Sequence, residues 1–180
     1  YAAIPFFVLA GVTMERAGLA ATIARFFELL VGRAVGGLAI VAVLTCMFWG
    51  ALSGSGPATT AAVGLILVAP MVRHGYDRDF AGATIANSAD LSIIIPPSIA
   101  FIIYGSITSV SVSALFVAGI VPGILTGAGT VLVAYLVSRS RGYRGIEARG
   151  SSRKILAALK DSIWALLSPV IILGGIYTGI

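Results

Sequence analysis

The sequence predicts an all-α integral membrane protein, a polytopic bundle containing a helical hairpin and a discontinuous helix. Three observations predict it. The chain is 58% hydrophobic and 11% charged, with a mean hydropathy of +1.04, where a soluble domain carries roughly a quarter charged residues. No charge occurs from Ala34 to Val72, and residues 80–138 hold only Asp90. Both stretches exceed the roughly 20 residues that one span needs, and both are interrupted by clusters of Gly, Ser, Asn and Pro.

Residues 1–14, "YAAIPFFVLAGVTM", read as the end of a span. Tyr1 begins inside an apolar run without a basic n-region, so this is not a signal peptide. The last residues, "GGIYTGI", have no charged exit, and both ends together predict part of a longer polytopic protein. Residues 15–33 differ. Leu19, Ile23, Phe26, Phe27 and Leu30 follow helical spacing, with Glu15, Arg16, Arg25, Glu28 and Arg33 mostly off that stripe. This predicts an interfacial helix or a solvated bundle helix.

Residues 34–72 are too long for one helix at ordinary tilt, and "SGSGP" at 53–57 divides them into a hairpin. "RHGYDRD", 73–79, is a wet loop. Residues 80–105 form a helix broken at "NSADLSIIIPPS", and "GSITSVSVS", 105–113, turns the chain into a span over 113–138. A basic loop covers 139–160, and its end, "SSRKILAALKDSI", begins another interfacial helix. Residues 161–180 start a last span, with Trp164 near the headgroups.

The net charge of +5 is not a nucleic-acid patch, because seven of the twelve basic residues fall between Arg139 and Lys160. That clustering is the positive-inside signature and makes the loop cytoplasmic. Arg16, Arg25, Arg33, Arg73 and Arg78 then fall on the same side. The hairpin returns the chain to that side whether it crosses fully or is re-entrant. Cys46 reads as a small buried hydrophobe. His74 is the only histidine, so a His-based metal cluster or catalytic pair is excluded. "SGSG" invites comparison with a serine nucleophile, but no base is within reach to activate it. No enzyme is expected.

Broken backbone at membrane depth is tolerated only where protein or a water-filled cavity satisfies it. Pro57 suits the first turn of a new helix, capped by Ser55 or Gly56. That helix turns its positive end to the break, which favours an anionic group. The second break repeats the pattern, with a helix ending near Asn87–Asp90 and another starting at Pro96-Pro97. Asp90 is costly near the bilayer centre, by about 2.5–3.5 kcal/mol, and a cation would offset this. Ser53, Ser55, Asn87, Ser88, Asp90 and Ser92 supply hard oxygens suited to sodium. Gly54, Gly56, Pro96, Pro97 and Ser98 flank the helix starts and are the candidates for contacting an anionic substrate. Paired discontinuous helices point to a transporter site. The blander readings are close packing at 53–56 and, for Asp90, an arginine partner elsewhere or a position nearer the interface. Gly119, Gly123 and Gly127 read as helix packing.

Taken in order, "IPFFVLAG" at 4–11, "GALSGSGPATTAAVG" at 50–64, "GYDRDFAGATIANSAD" at 75–90, "IIPPSIAFIIYG" at 94–105 and "LFVAGIVPGIL" at 115–125 carry a resemblance. They resemble the large membrane subunit of tripartite ATP-independent periplasmic (TRAP) transporters over nearly the whole chain. The resemblance implies a multi-pass protein of the bacterial inner membrane. It also implies sodium-coupled uptake of carboxylates such as dicarboxylates or sugar acids by an elevator-like mechanism. The implied partners are a small TRAP membrane subunit and a periplasmic substrate-binding protein, with sodium as coupling ion and no other cofactor. It further implies that residues 1–138 are the first of two inverted repeats and that 161–180 begin the second. Ser53, Gly54 and Ser55 match the hairpin tip, and Asn87 to Ser98 the broken helix. The chain departs from the family at Asp90-Leu91-Ser92, where Thr-Leu-Gly or similar small residues are common. The alternatives are another hairpin-containing secondary transporter or a non-transporting membrane scaffold.

Overall fold

The computed structural model describes residues 9, 11, 13, 14, 16–146 and 152–178. Residues 1–8 and 147–151, read above as the end of a span and part of the basic loop, lie outside the described residues, as does the Trp164 side chain. Eight helices follow one another among the described residues: α1 Leu19–Val31, α2 Gly37–Ser53, α3 Gly56–Arg73, α4 Arg78–Ala89, α5 Leu91–Ile94, α6 Ile99–Thr108, α7 Val112–Ser140 and α8 Ser152–Thr178. The protein is an all-α polytopic membrane protein. Among the described residues four segments are long and apolar enough to cross a membrane: 56–73, 78–108 taken across its break, 112–140 and 158–175. The helices reach further into the basic segment than its composition suggests, since α7 runs to Ser140 and α8 starts at Ser152.

The apolar stripe of α1 packs into the bundle. Ile23, Ala24, Phe26 and Phe27 are buried, and α1 lies against α2 and α8. The Phe27 ring meets Phe48 of α2 at 5.2 Å between centroids, while Arg25 stays exposed. Leu30, 48% exposed, leaves the stripe. So α1 packs its apolar stripe against the bundle and leaves its other face exposed.

Three loops close one end of the bundle. The Ile146 N–H donates to Gly32 O at 2.7 Å, and the Gly36 N–H donates to Tyr143 O at 3.3 Å. Tyr143 stacks on Tyr76 at 4.4 Å. Its hydroxyl donates to Asp77 Oδ2 at 2.6 Å and accepts from the Asp77 N–H at 3.2 Å. Arg141 completes the cluster with an ion pair to Asp77 at 2.9 Å. The loops around Arg33, Arg73–Arg78 and Arg139–Arg144 therefore share one end, as the charge distribution requires.

The hydrogen bond from Tyr143, followed by the Arg141 charge, holds the Asp77 carboxyl below its usual range. A depressed carboxyl stabilises the fold above its unfolded pKa of about 3.9, and that contribution is lost as pH falls through the lower folded value. Tyr143→Phe removes the largest cause. The gap in thermal midpoint between wild type and Tyr143→Phe should therefore be full at neutral pH and shrink below about pH 4. A gap constant from pH 6 to pH 3 would refute the assignment.

At the other end of the hairpin, α2 stops at Ser53, and Gly54 adopts the left-handed conformation (φ 60°) that lets its N–H reach Gly50 O at 2.8 Å. At 1.5 Å per residue α2 is about 25 Å long and α7 about 43 Å. The tip at Gly54 meets the start of α6.

The break in the second helix lies later than its composition suggests. Asp90 is a single non-helical residue between α4 and α5 with near-helical angles (φ −64°, ψ −20°). The unwound segment is Ile95–Ser98. Pro96 and Pro97 do not begin a helix. Each proline drives the residue before it out of the α region, so Ile95 is extended (ψ 122°) and α6 starts only at Ile99, behind an extended Ser98. α7 backs this segment with its glycines. A Cβ on Gly119 would strike Ile94 O at 2.6 Å, and one on Gly123 would strike the Ile95 side chain at 2.8 Å. Gly127 similarly seats Met47. The three glycines serve close packing.

Candidate functional site

The two interruptions meet. The Ile99 N–H, the first of α6, donates to Gly54 O at 3.3 Å. A Cβ on Gly54 would stand 3.1 Å from Pro97 O and 3.2 Å from Ile99 N. Gly50, one turn earlier on α2, lies flat against Ser92, whose Cβ and Cα would be 2.6 and 2.8 Å from a Cβ there. The ends of five helices are thereby held together: the C-terminus of α2, the N-termini of α3 and α6, and the turn between α4 and α5.

Polar side chains line this junction. Ser53 is buried, and its hydroxyl shares a 2.9 Å hydrogen bond with Thr59 of α3. Ser92 is fully buried and donates to Ala89 O at 2.6 Å. Ser55 occupies the N-cap position of α3 with Pro57 in the first turn, but its side chain makes no capping bond. Its carbonyl accepts the Thr59 N–H at 3.0 Å. Ser98, the N-cap residue of α6, is fully buried, and its hydroxyl has no partner.

Gly56, the first residue of α3, faces an oxygen-lined gap. The position a Cβ would take lies 3.6 Å from Ala89 O, 3.6 Å from Asp90 Oδ1 and 3.7 Å from Ser92 Oγ. Carbonyl, carboxylate and hydroxyl are the hard oxygens that suit a small cation, so this donor set fits sodium. The Asp90 carboxylate also stands beside the positive end of α3.

Of the candidates named from sequence, Ser53, Gly54, Ser55, Gly56, Asp90, Ser92, Pro97 and Ser98 lie in or beside the junction. Pro96 is buried in the unwound segment and also borders an apolar crevice of about 380 Å³ with Met47, Ile120 and Leu166. Ser88 donates to Thr84 O within its own helix at 2.6 Å, and Asn87 is exposed on α4. Neither makes a bond into the junction. Sequence reasoning missed Gly50, Thr59 and the Ala89 carbonyl. A threonine three residues into the helix after a Ser-Gly break was the available signal for Thr59.

A membrane bundle with two broken helices touching at their tips is the arrangement in which secondary transporters build their sites. The chain belongs to the family described as tripartite ATP-independent periplasmic transporter, DctM component, which matches residues 1–180. It is 48% identical to a C4-dicarboxylate TRAP transporter large permease protein of Pseudomonas aeruginosa, over 98% of this chain and 41% of that protein. It is 42% identical to an isethionate TRAP transporter permease protein of Oleidesulfovibrio alaskensis, over 99% of this chain and 28% of that protein. An ectoine TRAP transporter large permease protein of Halomonas elongata is 39% identical over 99% of this chain and 42% of its own length. The chain spans about two fifths of the length of the first two relatives, 41% and 39%.

Proposed function

We propose that the protein works as the large membrane subunit in sodium-coupled uptake of organic anions across the bacterial inner membrane. The solutes are carboxylates, the class that includes dicarboxylates and sugar acids, handed over by a periplasmic binding protein. A small TRAP membrane subunit completes the complex, and the hairpin and broken helix travel together in an elevator-like step. One observation carries this reading: the two breaks are bonded to each other around an oxygen-lined gap. Backbone left unwound at membrane depth needs polar company, and here each break supplies it to the other. Sodium would be held by oxygens of Ser53, Ser92, Asp90 and Ala89, and the solute carboxylate by a helix N-terminus.

The test is uptake into proteoliposomes by the full-length permease with its small subunit and loaded binding protein. An inward sodium gradient should accelerate uptake several-fold over equal sodium on both sides. Equal rates in the two conditions would remove the coupling, and no uptake in either would remove transport itself.

A further inference from the structure

We infer that Thr59 is a positioning residue for the coupling ion: its hydroxyl accepts the proton of Ser53 and so leaves a lone pair of the Ser53 oxygen free for sodium. The inference rests on reading the junction as a sodium site with Ser53 among its ligands. It adds the residue that orients that ligand.

Two neighbouring threonines on α3 behave differently. Thr60 does what a helical threonine ordinarily does and donates to the carbonyl four residues back, Gly56 O, at 3.0 Å. Thr59 reaches across the break, and its hydroxyl stands 2.9 Å from Ser53 Oγ at the end of α2. Its N–H donates to Ser55 O at 3.0 Å. The main chain and the side chain of Thr59 thus both hold the tip from the α3 side. Thr59 is 0% exposed and Ser53 5%, so bulk water does not replace this bond.

A hydroxyl has one proton and two lone pairs. A cation on the Ser53 oxygen repels that proton, which must then point at an acceptor away from the ion. Thr59 Oγ1 is at the right distance. The other acceptor printed by the geometry, Ser55 O, is 3.4 Å away, beyond the usual range of about 2.5–3.0 Å for O–H···O. One Ser53 lone pair faces the Ser55 N–H, also at 3.4 Å, and the second is left for sodium. Without the Thr59 hydroxyl the ion-binding orientation of Ser53 keeps only its long contacts to Ser55. Sodium then binds at the cost of about one buried hydrogen bond.

Sodium titration of the full-length permease with its small subunit, in detergent with choline holding ionic strength constant, tests the inference. The thermal midpoint of wild type should rise with sodium, and the concentration giving half the rise is the readout. Thr59→Val and Thr59→Ala should increase that concentration about three- to tenfold, the worth of one hydrogen bond. Thr59→Ser, which restores the hydroxyl, and Thr60→Val should stay within about twofold of wild type. A role in packing alone would lower the midpoint without sodium and leave the half-rise concentration where it was. The effect should also pass through Ser53, so that in a Ser53→Ala background Thr59→Val adds no further change. An unchanged sodium requirement in either Thr59 variant that folds, a change as large in Thr60→Val, or an additive loss in the Ser53→Ala background would overturn the assignment. A wild type whose midpoint answers sodium and choline alike would instead overturn the sodium site and this inference with it.

Discussion

Gly54→Val is expected to abolish uptake and to lower the thermal midpoint of the full-length permease by the largest margin of any single change at the tip. Two costs add. The residue sits at φ 60°, where an L side chain loses about 1–2 kcal/mol, and a β-branched one loses more. Its Cβ would lie 3.1 Å from Pro97 O and 3.2 Å from Ile99 N, both backbone atoms that cannot rotate away. Overpacking of this kind costs about 1–3 kcal/mol. The sum, about 2–5 kcal/mol, is a sizeable part of the stability of an ordinary domain. It also acts on a bond that ties the tips together, between the Ile99 N–H and Gly54 O. Gly54→Ala carries the backbone cost with less crowding and should fall between. The pair is read by thermal unfolding in detergent alongside vesicle uptake. A Gly54→Val protein with wild-type midpoint and uptake would mean that the tips do not need to touch.

Gly50→Ala should be the second most damaging, although it adds only a methyl group. That methyl would stand 2.6 Å from Ser92 Cβ and 2.8 Å from Ser92 Cα. Relief requires α2 and α5 to separate, which also draws Ser92 away from the oxygen-lined gap. About 2–3 kcal/mol of destabilisation is expected, with weaker sodium-driven uptake in whatever protein folds. Gly64→Ala is the matched comparison. It lies on α3 with no neighbouring atom within 4 Å of its Cβ position, and alanine there should be neutral or stabilise by about 0.5–1 kcal/mol. Equal midpoints for Gly50→Ala and Gly64→Ala would show that the contact with Ser92 is loose.

Class and membrane character were legible because they depend on composition and on charge-free length, which tertiary context cannot reverse. The hairpin break was legible for a local reason. Ser53-Gly54-Ser55-Gly56-Pro57 supplies a left-handed glycine and a first-turn proline within five residues. The second break was legible only in outline. Asn87 to Asp90 look like a helix end, yet α4 and α5 pass almost unbroken through them, and Pro96-Pro97 lie inside the unwound segment and do not start the next helix. Choosing Asn87 and Ser88 as cation ligands relied on oxygen content alone. Helical geometry instead leaves Asn87 exposed and turns Ser88 back to Thr84 O. What no local pattern could show is that Gly54 would find Ile99, or Gly50 find Ser92, because each pair is about forty residues apart. Gly50 reads as one more small residue in an apolar run until the backbone of Ser92 arrives beside it.

The hairpin is pinned at both extremities. At its foot Gly36 and Asp77 are bonded to Tyr143, and at its apex Gly54 is bonded to Ile99. A flap needs a free edge, and among the described residues this hairpin is fastened at both ends. Opening the apex would take the Ile99 N–H away from the Gly54 carbonyl and leave both of these backbone groups in need of new partners.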